Sequence, residues 1–496
     1  MKSSDEFPVW LGIDLGTQSV RAIAVSETGE MLGSGVQSLT SHRDGKRHEQ
    51  NPDDWWKATV GAVRTTLESV PGERVAGLAV DGTSGTILLI DARDHPLTPG
   101  LMYDDGRATD EAALATDAGA ELWAELGYNR MQAPWGLPKL LWLLRYHHEM
   151  IHPGVRFAHQ TDFINARLMG HPAATDTSNA LKSGCDLLRT EWPQEIFERL
   201  EIPAYLLPHV MRPGSRLGEV CAAAARECGL PEHTPVFAGM TDGCAAQIGA
   251  GALRVGSWNS VLGTTLVLKG VTRDLLKDPA GVLYSHRSPD GHWLPGGASS
   301  TGAGAISQEF AGRDLDALAA QAIGRGPSAN VVYPLAGKGE RFPFHAPAAE
   351  GFTIGEPCDE IDRFAGILQG VAFIERLCFD YLGLLGAPTD GDLFLTGGGA
   401  KSCDWSQLRA DILGRSVRLP ENPEAALGMA VLAAASSSGQ PLAEVSAEMV
   451  RIRETIDPRP VAAARYREPY LQLVEELERR VWLPPSLARQ ARENAR

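Results

Sequence analysis

The sequence predicts an α/β fold made of two domains of similar plan, and three observations predict it. The 496 residues exceed what one hydrophobic core holds, so two domains of roughly 200 residues each follow. Short β-rich runs flank a tight Gly-Thr turn at GIDLGTQS, residues 12 to 19, and the same design returns half a chain later at Ser257 to Lys269 around Gly263-Thr264-Thr265. Between and after these hairpins lie long stretches with helical periodicity.

Taken in order, Val9 to Asp14, Ser19 to Ser26 and Met31 to Leu39 read as strands, with Glu27-Thr28-Gly29-Glu30 turning between the second and third. The opening glycine loop is therefore the tip of a hairpin. A dinucleotide fold or a P-loop needs strand, Gly-rich turn and then helix, so both are excluded. What remains is a strand-turn-strand cradle whose backbone N–H groups point at an anion. Asn51-Pro52-Asp53-Asp54 starts a helix: Asn at the cap, Pro in the first turn, acids at its positive end. Gly77 to Asp91 reads as two strands joined by a Gly-rich loop, and Leu137 to His148 as an amphipathic helix. Pro235 to Ala238 is a strand that delivers Gly239-Met240-Thr241-Asp242-Gly243 to a small-residue helix, Cys244 to Leu253. Asp362 to Leu385 is a long helix, and Asp392 to Thr396 a strand ending in Gly397-Gly398-Gly399. After about residue 455 the chain is helical and charged, a packing or partner surface that leaves a homodimer open.

A formal charge of -16 argues against a surface that coats nucleic acid or anionic lipid. Seven cysteines without a C-x-x-C fit reduced thiols better than a disulfide framework or a zinc site. MKSSDEFPVW runs into the first strand without a basic segment followed by an apolar one, and no apolar stretch nears the ~20 residues of a membrane span. The expectation is a cytoplasmic protein with small-molecule partners, no nucleic acid and no membrane.

The ordered set of motifs resembles the FGGY carbohydrate kinases of the actin-like ATPase superfamily, from Leu11 to about Ala435. GIDLGTQSVRA is similar to that family's first phosphate motif, and HEQNPDDWW to its E-Q-D-P-x-x-W-W segment, with Asn51 in place of Asp. LMYDDGRA resembles the sugar-side W-N-D-x-R segment; TDFINARLMG, TDTSNA, GERFPF, GMTDG, LGTT and LTGGGAKS follow in order. Departures occur at Pro134 and Gly136 before KLLWLL, and at Ala346, where the family has Asp before Pro. Thr83-Ser84 stands where typical bacterial xylulokinases carry Met-His, and TSGT is similar to the pentulose kinases linked to D-ribulose.

The resemblance implies two actin-like (ribonuclease H-like) domains with an interdomain catalytic cleft that closes to exclude water. The boundaries expected are 1–252 for the sugar-binding domain, 253–440 for the nucleotide domain and 441–496 for a helical tail. It also implies ATP and Mg2+. Phosphoryl transfer to an alcohol is mostly positioning and charge neutralisation, so the chain must supply phosphate donors, carboxylates for the metal and an acceptor for the hydroxyl proton. Asp14 suits Mg2+, directly or through water, and Asp242 suits the general base, with a share in the metal site. Gly16, Thr17, Gln18 and Ser19, with Gly263, Thr264 and Thr265, offer amides and hydroxyls to the phosphates. Thr83, Ser84, Asp104, Asp105 and Asp242 are the candidates for the sugar, while Arg107 reads equally as a salt-bridge partner of those acids. Tyr103, Trp55 and Trp56 read as packing. Gly397, Gly398, Gly399, Ala400 and Lys401 would form the adenosine site. The function expected is transfer of the γ-phosphate to a primary hydroxyl of a ketopentose, D-ribulose or D-xylulose. A polyol kinase of ribitol or glycerol type is the alternative, and an actin-like chaperone or filament ATPase the remoter one.

Overall fold

The computed structural model describes residues 7–495, so the opening MKSSDE lies outside the described part. The chain forms two compact units, both discontinuous in sequence. The first takes the residues up to Gly251 together with His286–Trp293 and Asn422–Arg451; the second takes Ala252–Ser285, Leu294–Glu421 and Ile452–Arg496.

The first unit is built on a six-stranded sheet in the order Arg216–Glu219, Pro235–Phe237, Val75–Gly82, Val9–Leu15, Ser19–Ser26, Met31–Ser38. Val9–Leu15 pairs antiparallel with Ser19–Ser26 and parallel with Val75–Gly82. Its alternate residues Val9, Leu11, Ile13 and Leu15 share a buried cluster with Trp55, Ala62 and Val63 of the helix Pro52–Leu67, as the two-residue period of a strand requires. Gly12 turns the other way, toward the helix Ala425–Ser438, where a Cβ would lie 1.8 Å from the Ala426 carbonyl oxygen. Gly428 brings that helix equally close to Asp242–Ala250, with 1.9 Å from a Cβ to the Ala245 oxygen. Residues 422–451 thus pack with the first unit, the chain returning from the second to cover the first sheet. The small residues of AALGMAVLAAASSS exist for this close approach.

Gly77 to Asp91 does form two strands, but they serve different sheets: Val75–Gly82 the six-stranded one, Ile87–Ile90 a five-stranded sheet that pairs Ile87–Ile90 with Arg156–His159. Asn51 caps the helix Pro52–Leu67 by accepting from the Asp53 amide at 3.1 Å.

The second unit repeats the plan. Trp258–Leu262 pairs antiparallel with Leu266–Gly270 and parallel with Leu393–Thr396, which pairs parallel with Val417–Pro420. The helix Glu360–Leu384 crosses this unit with most of its residues buried. Within it Glu375 accepts two bonds from Arg409, at 2.7 and 2.8 Å, and one from Ser260 at 2.6 Å. All three are fully buried, so a paired charge locks two helices to the strand leading into the second hairpin. In the tail, Tyr470, Leu473, Val474 and Leu477 on Arg467–Arg479 and Leu487, Ala488 and Ala491 on Pro485–Asn494 join the second unit's core. Their i, i+3, i+4, i+7 spacing is an inward stripe. Of the two readings of the tail, packing accounts for this stripe. Among the described residues no helix is long and apolar enough to cross a membrane.

Candidate active site

The two Gly-Thr turns are constructed alike. At the first, the Gly16 amide donates to the Ser19 carbonyl at 3.0 Å, while the Thr17 and Gln18 carbonyls accept from Gln50 Nε2 at 2.7 Å and the Leu39 amide at 2.8 Å. At the second, the Gly263 amide donates to the Thr265 carbonyl at 3.0 Å, and the Gly263 and Thr264 carbonyls accept from the amides of Ala303 and Gly304. In both, carbonyls are drawn into the body of the unit and the amides of the next residues, Thr17 and Gln18 or Thr264 and Thr265, meet no protein acceptor among the described residues. Convergent amides without acceptors make an anion nest.

Two neighbouring strands of the first sheet carry an acid at the last-but-one position, and the strand beside them, Pro235–Phe237, leads to a third acid. Asp14 stands on Val9–Leu15, its register partner Asp81 on Val75–Gly82, and Gly82 bridges to Thr241, the residue before Asp242. Asp242 is the first residue of the helix Asp242–Ala250, and its Oδ1 accepts from the Gly243 amide at 2.7 Å. Burial pushes the Asp14 carboxyl up to about 6; a hydrogen bond with Asp81 and the charge of Arg21 act against this, Asp242 and Glu424 with it. Burial, reinforced by the charges of Asp14 and Asp242, holds Asp81 well above the usual carboxylate range. Glu424, carried in by the returning chain, pairs with Arg21 at 3.2 Å. Asp81 and Glu424 were both missed in the sequence. The signal for Asp81 was present: LAVDG ends an apolar run in an acid followed by Gly, much as GIDLG does.

Among the described residues no group of three or more acids, histidines or cysteines is placed to hold a metal directly. Magnesium keeps several waters and takes one or two carboxylates plus phosphate oxygens, so Asp14 with its neighbouring acids fits that ion.

On the sugar side the candidates divide. The Ser84 hydroxyl is buried without a partner, and its carbonyl accepts from Lys182 Nζ at 3.3 Å. Thr83 is spent internally, its amide and hydroxyl both donating to Gln160 Oε1, at 3.0 and 2.9 Å. Asp104 pairs with Arg43 and His48 and stays partly exposed. Asp105 is fully buried, and each of its oxygens has two donors: the Arg107 amide and Nε on one, the His48 amide and an Arg107 terminal nitrogen on the other. The expectation of Asp105 as a sugar contact is therefore corrected: a carboxylate so saturated has no lone pair to offer. Arg107 also bonds Glu49 at 2.6 Å and lies over Trp142, so its salt-bridge reading holds. Lys139, also unforeseen, is fully buried and donates to the Leu101 and Met102 carbonyls, which shapes the backbone before Asp104.

In the second unit Gly397 adopts φ 80°, and a Cβ there would lie 2.6 Å from the Leu262 carbonyl. Only glycine meets both demands. Gly397 and Gly398 are exposed with open space over Gly398, Gly399 and Ala400 are buried, and Lys401 is exposed. Ser402 caps the next helix by accepting from the Trp405 amide at 3.2 Å.

Each unit thus joins an antiparallel hairpin to a parallel strand and ends it in an amide nest, the plan of the actin-like ATPases. The sequence model for the N-terminal domain of the FGGY family of carbohydrate kinases matches residues 9–249, and that for the C-terminal domain residues 258–437. The chain belongs to the FGGY family of carbohydrate kinases and is an ATP-dependent sugar kinase. It is 31% identical to a xylulose kinase of Streptomyces coelicolor across 90% of this chain and 91% of that one. To the xylulose kinase of Escherichia coli it is 27% identical across 86% and 89%. Among solved structures, a xylulose kinase from Rhodospirillum rubrum superimposes with a TM-score of 0.82 at 26% identity, covering 95% of this chain and 99% of that one. A xyloylose kinase from Brucella ovis reaches 0.87 at 24% identity over 95% and 99%, a likeness of fold.

Proposed function

We propose that the protein transfers the γ-phosphate of ATP to the terminal primary hydroxyl of a ketopentose, D-xylulose or D-ribulose, giving the pentulose 5-phosphate. The observation that carries this reading is the likeness to xylulose kinases over nine-tenths of both chains, joined to an acid at the start of a helix beside two further acids. Thr83-Ser84 tilts the choice toward D-ribulose.

In this mechanism Asp242 orients the sugar hydroxyl and accepts its proton as the P–O bond forms; a late proton transfer needs no large pKa change. The amides of Thr17 and Gln18, with Gly16 and the Ser19 hydroxyl, hold phosphate oxygens, and Gly263, Thr264 and Thr265 do the same in the second unit. Gly397, Gly398, Gly399, Ala400 and Lys401 border the adenosine. Ser84 and Asp104 pair sugar hydroxyls, and a site built for such pairing rejects analogues that lack them. Asp14 and Asp242 would hold Mg2+, which would supply positive charge to the transferring phosphate.

The test is a panel of ketopentoses, aldoses and polyols under a coupled ADP assay, with Asp242→Ala as control. D-Ribulose or D-xylulose should give the highest kcat/KM, and the variant should lose about 10²–10⁴-fold. Sugar-independent ATP hydrolysis that yields no sugar phosphate would overturn the kinase reaction, and near-normal turnover by the variant would overturn the base.

A further inference from the structure

Asp81 and Glu424 are the acids of this site that the mechanism above leaves idle, and Asp81 is the harder of the two to explain as structure. It is wholly buried, and among the described residues no amide, hydroxyl or cationic donor reaches either carboxylate oxygen; its hydrogen bond is to the Asp14 carboxyl. Native proteins surround a buried carboxylate with amide or guanidinium donors, because an unpaired one forfeits its whole hydration. Asp105 in the same unit has four. Asp81 has instead a second carboxyl, Asp14, opposite it in parallel register, and Asp242 close enough to act on it electrostatically. Arg21, the cation that acts on Asp14, is paired with Glu424. Four acids face one arginine, and what is lacking is positive charge.

Two things can supply it: a proton shared between Asp14 and Asp81, or a metal ion. Position decides between them. Asp14, Asp81 and Asp242 stand at the same end of three adjacent parallel strands, the end where α/β sheets take their ligands. The turn beside Asp14 carries amides with no acceptor, so the same end is prepared for a polyphosphate, which arrives with its cation. Among the described residues no three acids are placed to enclose an ion by themselves, as suits a cation that keeps most of its water.

We propose that Asp81 is a second carboxylate of the divalent-cation site, acting with Asp14 across the parallel register, and that the cation satisfies its buried oxygens. The inference rests on the kinase reading for its nucleotide, and its test is independent of turnover. Mn2+ binding to the full-length protein is followed by EPR of the free ion, without sugar or nucleotide, for wild type, Asp81→Asn, Asp81→Ala and Asp14→Asn. Wild type should bind Mn2+, and each variant should weaken that affinity at least tenfold. In calorimetric scans without metal, Asp81→Asn should melt above wild type, because a buried like charge is gone, and it should lose the upward shift that millimolar Mg2+ gives wild type. Affinities within twofold of wild type for both Asp81 variants would overturn the proposal and leave a shared proton as the explanation; so would a wild type that binds no Mn2+. Should wild type bind Mn2+ and the Asp81 variants fail to, while no sugar is phosphorylated in the acceptor panel, the cation assignment stands and the kinase reading alone falls.

Discussion

Replacing Lys139 by Met turns a buried charge into a measurable pH dependence. The side chain lies on the helix Gly136–Tyr146, fully buried, and its amine donates to the carbonyls of Leu101 at 3.1 Å and Met102 at 2.7 Å. A neutral amine has two N–H groups, enough for both. Burial lowers its pKa from 10.5 to about 7, with Asp105 and Asp104 opposing and Lys182 and Arg107 assisting. The folded protein therefore releases this proton near pH 7, whereas the unfolded chain keeps it up to 10.5. Between those values the unfolded state binds more protons, so stability rises with pH by about 1.36 kcal/mol per unit, about 5 kcal/mol across the whole window. From pH 7.5 to 9.0 the contribution is about 2 kcal/mol. Lys139→Met abolishes that slope and removes two hydrogen bonds, at about 1 kcal/mol each, the Met102 carbonyl keeping the Asp105 amide at 3.0 Å. The variant is then clearly weaker than wild type at pH 9.0, and the deficit shrinks at pH 7.5. Urea unfolding followed by tryptophan fluorescence at both pH values measures this. Equal pH slopes for the two proteins would refute the reasoning, since a lysine charged throughout leaves no difference between them.

Two further substitutions probe the packing that places the site. Glu375→Gln strips the buried Arg409 guanidinium of its charge partner and should cost about 3–5 kcal/mol, read as a lower midpoint for the second unit in urea; an unchanged midpoint would mean that Ser260 and water suffice for the arginine. Gly428→Ala sets a methyl 1.9 Å from the Ala245 carbonyl and must separate the helices Ala425–Ser438 and Asp242–Ala250. It should lower stability by about 1–3 kcal/mol and reduce turnover with it, because Asp242 begins one of those helices; thermal scans and the coupled assay report both, and a wild-type Tm would show that the helices have room to spare.

The hairpins were legible in the sequence because their determinants are local. Gly-Thr turns between β-rich runs specify strand, turn and strand within a few residues, and the structure reproduces Val9–Leu15 with Ser19–Ser26 and Trp258–Leu262 with Leu266–Gly270. The helix starting at Pro52 was legible for the same reason, its cap and first turn being adjacent in the chain. Asp14 and Asp242 could be singled out by motif. Asp105 misled because the sequence of YDDGR does not say which of two neighbouring acids the arginine fork will take. The packing of residues 422–451 on the first unit was not legible, because a small-residue helix announces close packing without naming its partner.

By itself, the sequence determined that two domains share one hairpin plan, that each ends a strand in a Gly-Thr turn, and that the chain is a sugar kinase by its ordered motifs. These follow from turn chemistry and hydrophobic period, both encoded over a few neighbouring residues. Only the tertiary structure decided that Asp81 stands beside Asp14 with no amide or cationic donor, that Asp105 is consumed by Arg107, and that residues 422–451 return to the first unit with Glu424. Each depends on strand register or on which surface a helix buries. Those are settled by the free energy of contacts between distant segments, for which no local pattern is a substitute.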